Sequence, residues 1–495
     1  MRRRAAALAL LACLLHASSA GAGAATGIQF GVADDTGKYA GDSGHTFFDD
    51  ISAIGLGVDR MTVTWDAAHP TTIAESAFLD RAIPAATAAG VSIRLSVRPS
   101  APAAVGTSAT RAAAFAAFTA ELAQRYPQVR TFVIGNEPNQ PRFWRPQFRR
   151  GKAVAAAGYE RMLADSYDAL KLVDPTITVV GGVVSSRGND SATASSNSST
   201  SPLRFIAGLG AAYRASHRTK PIMDVFGFHP YPRSNRDPLE RGLEWPDAGF
   251  ANVDRIKQAL WDAFAGTSQP TVERGLHISI DEVGWQTAIP SASQEAYTGY
   301  ETVPVTSDRA QANVYRSLIA RAKCDPSISD VLFMPFIDEH DLAGFQSGLE
   351  RADGTKRPSY DVVRDALAAG TTCGGKLVRW QHRIGVAGAR AFFGPTTTRA
   401  RVQRSWGFRI RAAEDTTWTA SLVAVEGRRQ LTARAALAVR PVLRAKGVSH
   451  AGWTPRVTFP KRQLPTGRYA YVVVLHAALA PQRQTTLVGR TFAVR

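Results

Sequence analysis

The strongest constraint on this chain is an alternation that runs from residue 27 to residue 370. Short apolar runs with strand character, at 27–33, 58–65, 91–99, 130–137, 177–185, 223–231, 277–285 and 330–338, are separated by amphipathic stretches. In the segments 110–126, 157–173, 251–264, 309–322 and 360–370 apolar residues recur at three- and four-residue steps, the spacing of one helix face. Eight strand–helix units in series predict an α/β fold, a (β/α)8 TIM barrel, because each parallel strand needs a helical crossover before the next. A doubly wound open sheet is the competing arrangement. It usually carries a glycine-rich phosphate turn after its first strand, and GVADDTG (31–37) offers none. After Cys373-Gly374-Gly375 the period drops to two, with turn residues between short strands, which predicts a small all-β sandwich. The expected organisation is therefore a leader over 1–24, a barrel over 25–374 and a sandwich over 375–495.

The leader is read from a basic start (MRRR), an apolar core and the small-residue site Ala22-Gly23-Ala24, the pattern of a secretory signal peptide. A lipoprotein box ending at Cys13 is the alternative. No later segment has the run of about 20 apolar residues that a membrane helix needs. Export leaves two cysteines, Cys324 and Cys373, expected to form a disulfide clasping the end of the barrel. No Cys/His group has zinc-ligand spacing, so neither a structural metal nor a cofactor is expected. The formal net charge of +18 is unevenly spread. Residues 375–495 hold 22 Lys and Arg against Glu414, Asp415 and Glu426, whereas the barrel segment carries a slight acidic excess. Such a basic domain favours an anionic partner through its field. For an exported protein that partner is an anionic envelope polymer or glycan; nucleic acid is the less favoured reading.

Chemistry enters at VIGNEPNQP (133–141), where a strand-like run ends on Asn136 and Glu137 before a rigid proline. A helix cap is the bland reading. Acid catalysis on a sugar requires a second carboxylate. HISIDEVGW (277–285) supplies it: strict alternation sets Ile278, Ile280 and Glu282 on one face and Asp281 on the other. If the isoleucines fill the barrel, Glu282 reaches its C-terminal mouth at the level of Glu137.

Asn-Glu-Pro at 136–138, Asp-Glu-Val-Gly-Trp at 281–285 and eight βα units together resemble the clan A glycoside hydrolases. The resemblance covers residues 27–370 and does not extend to the C-terminal domain. It implies a retaining glycosidase with Glu137 as acid/base after strand four and Glu282 as nucleophile on strand seven. It further implies that Asn136 meets a sugar hydroxyl, that Arg60 orients the nucleophile, and that His229 and Tyr231 form the polar and aromatic pair of strand six. Where the clan commonly ends strand eight on tryptophan, this chain has Phe336 and Asp338.

Four tryptophans near strand ends, Trp65, Trp144, Trp245 and Trp285, are candidate sugar platforms, although large aromatics also fill barrel–helix interfaces. The loop 140–152 carries five bases beside Glu137, read as a solvated loop or as a subsite for an acidic glycan. The Ser/Asn/Thr-rich segment 187–202 is expected to be a disordered insertion, with a lid over the site as the alternative. Asp338, Glu339, His340 and Asp341 lack the regular ligand spacing of a hard-cation loop. The competing functions are transglycosylation, a glycan-binding barrel without turnover, and a nucleic-acid binder acting through residues 375–495.

Overall fold

The computed structural model describes residues 27–394, 397–398, 406–427, 430–460 and 462–494; the expected leader and its Cys13 lie outside these residues. Eight parallel strands close into a barrel: β1 (Gln29–Val32), β2 (Val58–Trp65), β3 (Ser92–Pro99), β4 (Thr131–Ile134), β5 (Thr178–Ser185), β6 (Val225–His229), β7 (His277–Val283) and β8 (Ile328–Phe333). They neighbour one another in chain order, and β8 pairs with β1 to seal the cylinder. Helices α1 (His45–Ala53), α2 (Ser76–Ala88), α3 (Ala109–Arg125), α4 (Ala155–Val173), α5 (Pro202–Ala215), α6 (Val253–Phe264), α7 (Asp308–Lys323) and α8 (Pro358–Ala368) follow the strands in turn. Each buries one stripe. In α3 the buried set is Ala112, Phe115, Ala116, Phe118, Thr119, Leu122 and Ala123, and the Ser108 side chain accepts from the Arg111 amide to start the helix. The Ser307 side chain does the same for α7 through Ala310.

The lower barrel interior is polar. Arg94 reaches across the cylinder from β3 to Asp330 on β8 at 2.8 Å and to Gln29 on β1 at 3.0 Å, and Ser279 on β7 donates to the same Asp330. This layer sets the phase of β7. Ser279 and Asp281 face inward, whereas Ile278 and Ile280 join the apolar cluster shared with the helices. The expectation that the isoleucines fill the barrel is thus reversed.

Cys324 at the end of α7 is bonded to Cys373 after α8. Beyond it, the chain forms two antiparallel sheets around a separate apolar cluster. One contains β9 (Arg390–Phe392), β10 (Gly407–Arg411) and β11 (Arg456–Thr458). The other is built on the long strands 416–424, 441–449, 467–477 and 480–488. Trp261 of α6 stacks on His382 at 3.9 Å, and Arg483 binds Asp262 at 2.9 Å, joining sandwich to barrel.

Candidate active site

Glu137 and Glu282 meet at the C-terminal mouth of the barrel because the backbone departs from regular strand geometry at both. After β4 the chain turns through Gly135 (φ 82°) and Glu137 itself (φ 37°). A Cβ at Gly135 would stand 3.0 Å from the Tyr159 ring, so a close approach as well as a left-handed backbone selects glycine there. The Tyr159 hydroxyl donates to the Ile134 carbonyl at 2.7 Å and accepts from the Gly182 amide at 2.9 Å. Gly182 and Val183 form a bulge in β5, and the Val183 carbonyl accepts the Glu137 amide at 2.9 Å. Asn139, fully buried, ties the following turn to Ser185 and Thr200. A left-handed non-glycine residue costs about 1–3 kcal/mol and persists only where its surroundings fix it, as here.

On β7 the decisive feature is another bulge. Between Ile280 and Val283 this strand spends three steps where β8 spends two, from Val331 to Phe333. The extra residue lets Asp281 and Glu282 both turn into the barrel, which strict alternation forbids. Asp281, expected on the outer face, is in fact fully buried and held by Arg60 at 2.9 Å. The other arm of the same guanidinium donates to Glu282. Tyr231 donates to the second Glu282 oxygen at 3.1 Å. Burial, then the charge of Glu282, hold the Tyr231 phenol well above its ordinary value, so it remains a donor.

His229, wholly buried at the end of β6, joins the carboxylates. Its Nδ1 lies 3.1 Å from Glu137 and 3.4 Å from Glu282, and its Nε2 lies 3.5 Å from Asp281. Burial pulls the imidazole down, but Glu282, Asp281 and Glu137 outweigh it and push the group up to about 10. Against the raising effect of its own burial, Arg60 and then His229 hold Asp281 below the usual carboxylate range. Ligand atoms of Glu137, His229 and Glu282 all lie within 4.8 Å of one another, a spacing that would also suit a metal. Both Glu282 oxygens already accept from donors, Arg60 and Tyr231, so the donor set fits a proton-sharing cluster better.

The cluster lies at the floor of a cleft of about 1360 Å³. Asn136 lines it, with a buried side-chain oxygen that has no partner. The tryptophans do not. Trp65 packs on Phe115, Trp144 on Tyr159, and Trp285 donates to the Asp237 carbonyl; all three are buried under the helices. Trp245 lines a different cavity, at the junction with the sandwich, beneath Arg204. Their expected stacking role gives way to the bland alternative, because strand-end tryptophans here point between strand and helix. The aromatic rings lining the cleft are instead Tyr39, Phe143, Phe345 and Tyr231, of which the first three escaped the sequence reading. Phe336 packs on Phe47 and Tyr360, and Asp338 is engaged by Arg357 and Tyr297. The segment expected to be disordered is pinned by Asp190 to Ser201 and by Thr200 to Asn139, and it sets Ser196 and Asn197 on the cleft wall.

No family model matches this sequence, and no curated protein does. Solved structures do. A family 39 glycoside hydrolase from Bacteroides cellulosilyticus is 14% identical, with a TM-score of 0.49 over 81% of this chain and 73% of that one. A GH5_18 protein from Streptomyces cattleya in complex with GlcNAc is 16% identical, with a TM-score of 0.45 over 69% and 80%. An exo-β-1,4-mannosidase from Opitutaceae bacterium strain TAV5 is 14% identical, with a TM-score of 0.45 over 70% and 60%. The site assignment rests on the geometry above.

Because His229 gains its proton on folding, its stabilising effect is complete below the exposed-imidazole value of about 6.5 and is lost as pH rises through about 10. Melting temperatures measured across that window should fall with pH in the wild type and fall less in His229→Gln. Parallel profiles would show that the imidazole is not charged.

Proposed function

We propose that this protein is a retaining glycoside hydrolase. The observation that carries the reading is the separation of Glu137 and Glu282, whose nearest oxygens lie within 4.8 Å. Double displacement works with carboxyls about 5–5.5 Å apart, whereas inversion needs about 6.5–9.5 Å to fit a water. Glu282 is the nucleophile: both of its oxygens receive donors, from Arg60 and Tyr231, which support its negative charge and fix its aim. Glu137 is more open to the cleft and gives a proton to the leaving oxygen while Glu282 attacks the anomeric carbon. A water activated by Glu137 then breaks the glycosyl ester. The orphan oxygen of Asn136 accepts from a sugar hydroxyl beside the anomeric carbon.

Arg60 and His229 bring two positive charges to the three carboxylates Glu137, Asp281 and Glu282. The cluster is neutral when one carboxylate carries a proton, the state from which a general acid starts.

Residues 1–24 act as an export signal in this reading, and the Cys324–Cys373 disulfide suits an oxidising compartment. The C-terminal domain holds the enzyme on an anionic envelope polymer or glycan. Support comes from the register of the smaller sheet, where Arg390 is opposite Arg411 and Arg409 is opposite both Phe392 and Arg456. All five side chains are exposed and share one face. Like charges set directly across strands destabilise a sheet, so an arginine ladder without acids implies a ligand that neutralises it.

The Glu137→Gln variant should lose about 10²–10⁴-fold in kcat on a glycan panel. Glu282→Ala should be inactive until azide is added, and should then release a glycosyl azide of inverted configuration. Wild-type rates in both variants would end the assignment. Separately, the full chain carrying Arg409→Gln and Arg411→Gln should elute from immobilised polygalacturonate at lower salt than wild type, with cleavage of small substrates unchanged. Equal elution would remove the ladder from the account.

A further inference from the structure

The charges around the cleft are sorted by strand. Arg98 stands at the end of β3, Arg142 and Arg145 follow β4, Arg187 follows β5, and Arg233 follows β6. These loops are neighbours around the cylinder, so the five guanidiniums form one continuous wall. Acids gather on the opposite side: Asp34 and Asp35 follow β1, and Glu339 follows β8, which is the neighbour of β1. The two walls differ in how their charges are satisfied. Asp35 is paired with Lys38 at 3.0 Å, and Asp34 accepts from the amides of Phe336 and Ile337. Among the described residues, none of these five arginines, four of them exposed and Arg98 half-buried, forms an ion pair, whereas the buried Arg60, Arg94 and Arg357 each do.

What these arginines touch is neutral. Arg98 and Arg142 lie over the Phe143 ring, at 5.9 and 5.6 Å from its centre. Arg145 donates to the Pro141 carbonyl, and Arg187 to the Arg233 carbonyl. Two guanidiniums held on one aromatic ring make a pair of neighbouring donors for the oxyanion of a sugar, with Phe143 fixing their place. Five like charges held around one concave surface repel one another, and an anionic ligand relieves that repulsion.

Resting on the hydrolase reading and extending it to substrate class, we infer that the cleft takes an anionic glycan, with its oxyanion substituents on the β3–β6 wall and one of them at the Arg98–Arg142 pair. Carboxylate and sulfate share this chemistry. The geometry separates the proposal from the arginine ladder of the sandwich, which lies in another domain.

The test uses the full chain with Glu137→Gln, so that binding is read without turnover, and with Arg409→Gln and Arg411→Gln to silence the ladder. Calorimetric titration compares cellohexaose and mannohexaose with hexagalacturonate and a heparin hexasaccharide. At least one acidic probe should bind about tenfold or more tightly than either neutral one, and the preferred arm identifies carboxylate or sulfate. Adding Arg142→Gln or Arg98→Gln should weaken that acidic probe about three- to tenfold and reduce its salt dependence. Equal binding of neutral and acidic probes, or acidic binding indifferent to both arginines, would overturn the inference. Failure of the hydrolase reading shows differently: acidic selectivity would persist while Glu282→Ala left cleavage at wild-type rates.

Discussion

A single buried guanidinium organises this site. Arg60 enters the barrel from β2 and holds Asp281 with one arm and Glu282 with the other, so neighbouring carboxylates on one strand both face inward. Uncompensated, either anion would be costly to bury, by several kcal/mol once relaxation is allowed. His229 supplies the second cation and links Asp281 to Glu137 on the far strand. Removing Arg60 would leave buried charges without a partner, which explains why Glu282, its neighbour Asp281 and the strand bulge form one unit rather than three features.

The eight-unit alternation announced the barrel, and Asn136, Glu137, Glu282, Arg60, His229 and Tyr231 were each legible as residues. Their mutual geometry was not. Alternation along β7 pointed to Glu282 by assuming that Ile278 and Ile280 face inward, yet they face the helices, and Glu282 turns in only through the extra residue before Val283. A bulge has no reliable sequence signature, so Asp281 was set on the wrong side. Trp65, Trp144 and Trp285 illustrate the other limit: an aromatic at a strand end packs where burial is greatest, and here that is beneath the helices. The arginine wall was legible only in part, through the basic loop 140–152, for a third reason. Its members lie at the end of β3 and in three loops, between residues 98 and 233, and only barrel closure brings them together.

The two domains share an electrostatic theme. The sandwich carries most of the excess basic charge and arrays four arginines and Phe392 on one sheet face. The barrel segment is slightly acidic in sum, yet it reserves one side of its cleft for unpaired arginines. In the proposed reading, these cations in both places serve one kind of anionic material, held by one domain and entered by the other. Asp34 and Asp35 of the opposite wall are already engaged, so the asymmetry of the cleft sets the orientation of a charged ligand as well as its attraction.

Everything chemical depends on two carboxylates being too close to admit a water between them and the sugar. Proton NMR of the first product formed from an anomerically pure substrate reads that geometry directly. Retention of configuration, followed by slow mutarotation, is the expected result. Inversion in the first-formed sugar would contradict the assignment of Glu282 as a nucleophile.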